Sequence, residues 1–239
     1  MNPTVVVIPT YNEAENIQDI ISAVLALPSA IDVLVVDDNS PDGTAEIVKK
    51  LRVHHPQVNL LERAKKQGLG PAYVHGFKWV IEKGYTYIFE MDADFSHPPS
   101  TVVPMLALLQ QEKTDLVVGS RYKSGIRVRD WPLSRIALSV GASLYVRLIT
   151  GLTVADPTAG FVGYHVKVLR ALDLEDIRFK GYAFQIALKF WAWKKGFRIA
   201  EFPIIFTDRI RGDSKMNTSI ISEAIFGIIA MKWRSFFKK

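Results

Sequence analysis

The 239-residue chain contains no cysteine, which excludes a disulfide framework, thiolate catalysis and any metal site built on sulfur. A reducing cytoplasm is then the default compartment. The chain also lacks an uninterrupted apolar run of the roughly 18 residues a membrane-spanning helix requires, so it is not expected to cross a bilayer by itself. Its opening, "MNPTVVVIPTYNEAEN", has no basic segment, and prolines break its apolar run. That is the pattern of a first strand rather than a targeting peptide. No repeat or low-complexity tract is visible. Neither G-x-G-x-x-G nor G-x-x-x-x-G-K-[ST] follows the first apolar run, so no backbone cradle for phosphates is expected there.

What is present is an ordinary globular balance, 49% hydrophobic and 23% charged, with a net charge of +6. The charge favours an anionic partner: nucleotide or lipid phosphates, an anionic bilayer, or nucleic acid. Lysines and arginines are spread along the chain rather than gathered in one run, which argues against nucleic acid.

Short apolar runs alternate with helical patterns. "TVVVIP" (4–9) precedes a helix from about Glu13 to Leu27, and "IDVLVV" (31–36) precedes one from about Thr44. Runs at 58–61, 85–91 and 115–120 follow at helix-length intervals. This predicts an α/β fold with a mostly parallel sheet covered on both faces. Residues 125–181 are less regular, with a helical stretch near 132–149. A helix (181–196), a last strand (197–206) and a closing helix (217–239) complete the chain.

In such sheets ligands gather beyond the carboxyl ends of the strands, and there the sequence places "PTYNE", "DDNSPDGT" and "DADFSH". Asp92 and Asp94 are expected to point the same way from the last extended turn after "YTYIFEM". Two carboxylates in one small space either end a strand in a turn or share a hard divalent cation. Mg²⁺ or Mn²⁺ held there against a diphosphate would replace the missing backbone cradle. Asp37, ending the second strand, reads either as a turn former or as an acceptor for a ribose or base edge. Glu13 fits a ligand contact, and Thr10 to Glu13 equally fits a helix capping box. His75 and His97 read as structural histidines, and Lys65 and Lys66 as a solvated loop.

The segments "VVIPTYNEAENI", "VVDDNSPDGTAEIV", "GLGPAYVHGFKWV", "MDADFSHPP", "VVGSRY", "DPTAGF", "KGYAFQI" and "FTDRIRGDSKM" occur in this order across nearly the whole chain. Together they resemble the dolichyl-phosphate (polyprenyl-phosphate) mannose synthases of glycosyltransferase family 2. The resemblance implies a GT-A fold, a Rossmann-like twisted sheet flanked by helices, and inverting transfer of mannose from GDP-mannose to a polyprenyl monophosphate with Mg²⁺ or Mn²⁺. It further implies that Pro9, Tyr11, Glu13, Val35 and Asp37 hold the guanosine, and that Asp92, Ala93 and Asp94 line the ribose and diphosphate. Asp94 is then the first metal ligand, with Asp92 close by. Ser96 stands where some relatives carry an amide, and would reach the ion through water. Arg121 resembles a donor contact, and Arg209 and Lys215 a basic clamp on the phosphates, in a loop able to close over substrate.

Two rival readings are weighed against this one. Glucosyl transfer from UDP-glucose to a polyprenyl phosphate stays open, whereas a nucleotidyltransferase would want a Gly-rich loop and a Lys after strand one. A nucleotide-sensing or nucleic-acid-binding module is disfavoured by the dispersed charge. The expected organisation is a catalytic domain over 1–217 and an amphipathic helix over 218–239. That helix sets Ile221, Ile225 and Ile228 on one stripe and Phe226, Trp233 and Phe237 on another, above a basic end. It either packs on the catalytic domain or lies in a membrane interface. The second option, helped by 131–149, makes the protein peripheral on the cytoplasmic face. No oligomeric state is read from the sequence.

Overall fold

Alternate residues of the first strand, β1 (Thr4–Thr10), enter opposite cores. Val5 and Val7 join one apolar cluster and Val6 and Ile8 the other, all fully buried. That two-sided burial is what a central parallel strand demands, and each such side chain contributes about 1.5–3 kcal/mol relative to exposure. The computed structural model describes residues 3–177, 179, 181–208 and 218–237, with side chains in the last segment described from 225 onward.

After β1 come α1 (Ile17–Leu25), β2 (Ile31–Asp37), α2 (Thr44–His54), β3 (Val58–Glu62), α3 (Leu69–Glu82), β4 (Tyr87–Glu90), α4 (Val102–Gln110) and β5 (Leu116–Ser120). The remainder is β6 (Val128–Arg129), α5 (Leu133–Thr150), β7 (Val162–His165), α6 (Val166–Ala171), α7 (Tyr182–Lys194), β8 (Ile199–Pro203), β9 (Phe206–Thr207) and α8 (Thr218–Arg234). Seven strands form one sheet in the order β3-β2-β1-β4-β7-β5-β8, and β6 pairs with β9 beside it. Helices α1, α2 and α4 cover one face, while α3, α5, α6, α7 and α8 contribute to the core on the other.

Every pairing in the main sheet is parallel except those of β7, which runs antiparallel to both β4 and β5. This strand lies in the region read from sequence as irregular. Gly163 makes its insertion possible: a Cβ there would stand 2.5 Å from Cε1 of Phe89, its partner across β4.

Three local expectations shift. The helix expected from Glu13 begins at Ile17, because Asn12 takes a left-handed conformation (φ 57°) and Thr10 donates to Asp37 instead of capping. The expected last strand divides into β8 and β9. Helix α5 satisfies by length and mean hydropathy the test for a membrane span, with 17% of it buried, although Arg135 and Arg147 interrupt its apolar sequence.

Candidate active site

The carboxyl ends of β1 and β2 are tied to each other through the loops that follow them. Asn12 N–H donates to Ser40 Oγ, Glu13 N–H to Thr44 Oγ1 and Ala14 N–H to Asp42 Oδ2, at 2.9–3.0 Å. Asp37 is wholly buried and anchors this arrangement. Thr10 Oγ1 donates to its Oδ1 at 2.8 Å, and Ser40 gives it both its N–H (2.8 Å) and its hydroxyl (2.6 Å). Asp37 therefore anchors the turn that follows β2. Val35 packs in the core beneath α1 and α2. Pro9 and Glu13 are partly exposed, and Asn16 Nδ2 donates to Glu13 Oε2.

Asp38 was not singled out from the sequence. Its carboxylate accepts from Arg63 Nη1 at 2.5 Å and from Gln67 N–H at 3.2 Å, and burial raises its pKa in spite of the arginine. This fixes the loop that carries Lys66, whose ammonium stands 4.0 Å above the Tyr11 ring. Lys66 is therefore a cation–π partner of a predicted site residue rather than a merely solvated charge.

Beyond β4 the chain turns at once, so the two aspartates do not share an extended register. Asp92 keeps 41% of its side chain exposed, whereas Asp94 is buried and accepts from Ser96 N–H at 3.0 Å. Phe95, between Asp94 and Ser96, takes φ 60°, an uncommon conformation for a bulky residue. His97 fastens the turn: its Nδ1 accepts from Asp92 N–H at 3.2 Å, and its ring stacks on Phe161 at 5.1 Å. Burial lowers its pKa against the pull of Asp92 and Asp94, and its unprotonated Nδ1 is the acceptor in this turn. Ala93 and Ser96 are buried in the same turn.

No group of three or more His, Asp or Glu able to hold an ion occurs among the described residues. Two hard carboxylate donors on one turn nevertheless fit Mg²⁺ or Mn²⁺, which complete their shells with water and substrate phosphate oxygens.

Because β7 is antiparallel, its amino end, Val162, lies opposite Glu90 at the carboxyl end of β4. The "DPTAGF" loop that enters β7 thus arrives at the same edge as the strand-end loops. Its Asp156, wholly buried, receives Arg121 Nε and Nη2 at 2.7 Å and Arg121 N–H at 3.0 Å. Thr158 Oγ1 accepts a further bond from Nη2. Burial raises the pKa of Asp156, but Arg121 more than compensates and holds it below the usual range. Glu201 on β8 accepts the N–H groups of Ala155 and Asp156, fixing the loop from behind.

Beside Asp92 opens a cavity of about 580 Å³. Asp92, Ser96, Arg121 and Thr158 line one part of it; Leu138, Ala142, Val146, Ile186, Ile225 and Ile228, from α5, α7 and α8, line another. Arg135 also lines it, paired with Asp208 at 2.5 Å and stacked 4.1 Å from the Trp131 ring centroid. Sequence reasoning passed over Arg135 and Asp156. The signals were there: a lone cation near the start of an apolar helix, and a quoted "DPTAGF" segment left without a role. Arg209 and Lys215 lie outside the described residues, and of the expected closing loop only its first residues are described.

The profile of Glycosyl transferase family 2 matches residues 5–173. The chain belongs to this family. It is 42% identical over 231 residues to an undecaprenyl-phosphate mannosyltransferase of Micrococcus luteus, covering 95% of this chain and 94% of that protein. It is 43% identical over 226 residues to a polyprenol monophosphomannose synthase of Mycolicibacterium smegmatis, covering 94% and 85%. Solved structures share the architecture of this glycosyltransferase. A glucosyl-3-phosphoglycerate synthase of Mycobacterium tuberculosis, in complex with Mn²⁺, UDP and glucosyl-3-phosphoglycerate, superposes with a TM-score of 0.68 at 19% identity, covering 98% of this chain and 80% of that one. A mannosyltransferase of Pyrobaculum calidifontis in complex with GDP-mannose and Mn²⁺ gives 0.59 at 16%, covering 98% and 74%. The fold is the expected GT-A arrangement.

Proposed function

We propose that this glycosyltransferase moves mannose from GDP-mannose to a polyprenyl monophosphate, releasing GDP. The observation that carries the reading is the cavity, which joins the Asp92 turn and two arginines to an apolar chamber walled by α5, α7 and α8. It suits an acceptor with an anionic head and a hydrocarbon tail. The mannosyltransferase names of the two relatives above support the sugar and the lipid class.

In this reading the nucleoside rests against Pro9, Tyr11 and Glu13, near Val35 and Asp37, and the diphosphate reaches Asp92, Ala93 and Asp94. A bound Mg²⁺ or Mn²⁺ would offset the charge developing on the departing diphosphate. Asp94 and Asp92 would hold it, with Ser96 behind them. A phosphate monoester is already anionic near neutral pH, so no side chain need remove a proton from it. Its oxygen attacks the anomeric carbon from the face opposite the leaving group. The bond to the nucleoside diphosphate breaks, its electron pair leaves with GDP, and the configuration inverts. Arg135, with Arg209 and Lys215, supplies positive charge to bring two anions together. Arg121, held by Asp156, fixes the floor between donor and acceptor.

The lipid is met at a membrane surface, on its cytoplasmic face. On α5, Leu138, Leu144 and Leu148 are exposed; on α8, Ile225, Phe226, Ile229 and Trp233 are exposed, while Ile228 and Met231 are buried in the core. In this reading the terminal helix packs on the core with Ile228 and Met231 and turns its exposed aromatics toward the bilayer. Incubation with a short polyprenyl phosphate and, separately, GDP-mannose or UDP-glucose tests the reading. Product with GDP-mannose alone is expected. Product only with UDP-glucose, or equal product with unphosphorylated polyprenol, overturns it.

A further inference from the structure

Gln185, on α7, lines the cavity and is 1% exposed, yet neither its amide nitrogen nor its amide oxygen has a hydrogen-bond partner. Its carboxamide is also a side-chain hydrogen-bonding neighbour of Glu90, lowering that carboxyl's pKa against the burial that raises it to about 8, which engages one amide hydrogen at most and leaves the second hydrogen and the oxygen. Buried polar groups in folded proteins are nearly always bonded, and exceptions call for a missing water or ligand.

The position of this amide is set from several sides. Lys189, one turn further along α7, donates to the main-chain oxygen of Gln185 at 3.0 Å and to that of Ala159 at 2.6 Å. The same ammonium thus ties α7 to the loop that holds Arg121. Tyr164 donates to Glu90 Oε1 at 3.0 Å, fixing the neighbouring carboxyl. Gln185 lines the wall of a chamber that also contains Asp92, where the diphosphate end of a donor would stand.

We propose that the Gln185 carboxamide reads two adjacent hydroxyls of the transferred hexose, one donating to Oε1 and the other accepting from Nε2–H. The inference rests on the glycosyl-transfer reading and deepens it. A carboxamide presents one acceptor beside one donor, and a vicinal diol offers the complement. A phosphate would satisfy only Nε2 and would press its charge on Oε1 and Glu90. An isoprenoid would satisfy neither atom. A site built to bond a hydroxyl rejects the analogue lacking it, because its own buried groups are then left unpaired.

The test compares single-turnover transfer from GDP-mannose and its 2-, 3- and 4-deoxy analogues, with GDP affinity measured by calorimetry. In the wild type, two donors lacking adjacent hydroxyls should react about tenfold or more slower than GDP-mannose. Gln185→Met should slow GDP-mannose by a similar factor while leaving those two donors unchanged, so that the ratio falls toward one. GDP affinity should stay at its wild-type value, since in this proposal the amide reads only the hexose. Gln185→Asn, too short to reach, should behave likewise and serves if the first variant folds poorly. If both variants keep the wild-type ratios, or if GDP affinity falls as far as the mannose rate, the inference is wrong. If the wild type turns over a different nucleotide-hexose, the donor assignment fails, and the same ratios on deoxy forms of that donor decide the role of Gln185. If no nucleotide-sugar reacts, both readings fall together.

Discussion

Arg121 and Asp156, 35 residues apart, form a buried two-pronged ion pair, both prongs at 2.7 Å. The guanidinium is therefore committed to a carboxylate before any substrate arrives, and its role is to hold the "DPTAGF" loop under the site. Asp156→Asn should destabilise the protein by about 3–5 kcal/mol, because it leaves a buried charge without its partner. Urea denaturation measures this; a loss under 1 kcal/mol would show the pair to be solvated.

Asp94→Ala should abolish transfer. Asp94→Asn should lower kcat by about 100-fold or more while changing donor affinity far less, if its charge acts mainly on the departing diphosphate. EDTA should stop the reaction and Mn²⁺ restore it. Undiminished turnover in EDTA contradicts the metal role.

Replacing exposed apolar residues of the outer face, for instance Leu144→Glu with Phe226→Glu, should release the protein from anionic liposomes. Stability should change by no more than about 0.5 kcal/mol per site, since both side chains are exposed. Point changes are the sharper probe, because deleting α8 would also strip Ile228 and Met231 from the core. Unaltered co-sedimentation would place the membrane contact elsewhere.

At the opposite end of the sheet, hydrogen bonds from Arg198, and from Lys167, hold the Asp115 carboxyl well below its usual value of 3.8. Above that pH it is ionised in both folded and unfolded states, and its full contribution is present. As pH falls through 3.8, the unfolded chain takes up a proton that the native state does not, and stability is lost. Asp115→Asn should therefore flatten the decline in denaturation midpoint below about pH 4. A decline as steep as that of the wild type would remove Asp115 from the acid limb.

Much of the sheet was legible because its strands end in dense polar clusters. "PTYNE", "DDNSPDGT" and "DADFSH" marked the edge where the site stands, and the loops meet there as strand order requires. Strand β7 was hidden, since four residues with a glycine among them give no alternation to read, and its reversed direction puts the useful loop before the strand. Arg135 and Gln185 were hidden for another reason. Their place on one cavity comes from three helices far apart in the chain closing around one space, a fact of packing that no local pattern expresses. The same holds for Asp37, where burial by Thr10 and Ser40 distinguishes a hinge pin from an exposed acid.

The chamber between α5, α7 and α8 has the size of a pocket for a small molecule, far too small to enclose a long polyisoprenoid. Such an acceptor would fit only its headgroup and the first part of its tail inside the chamber. On the proposed function, discrimination among polyprenols of different length would have to come from contacts outside this chamber.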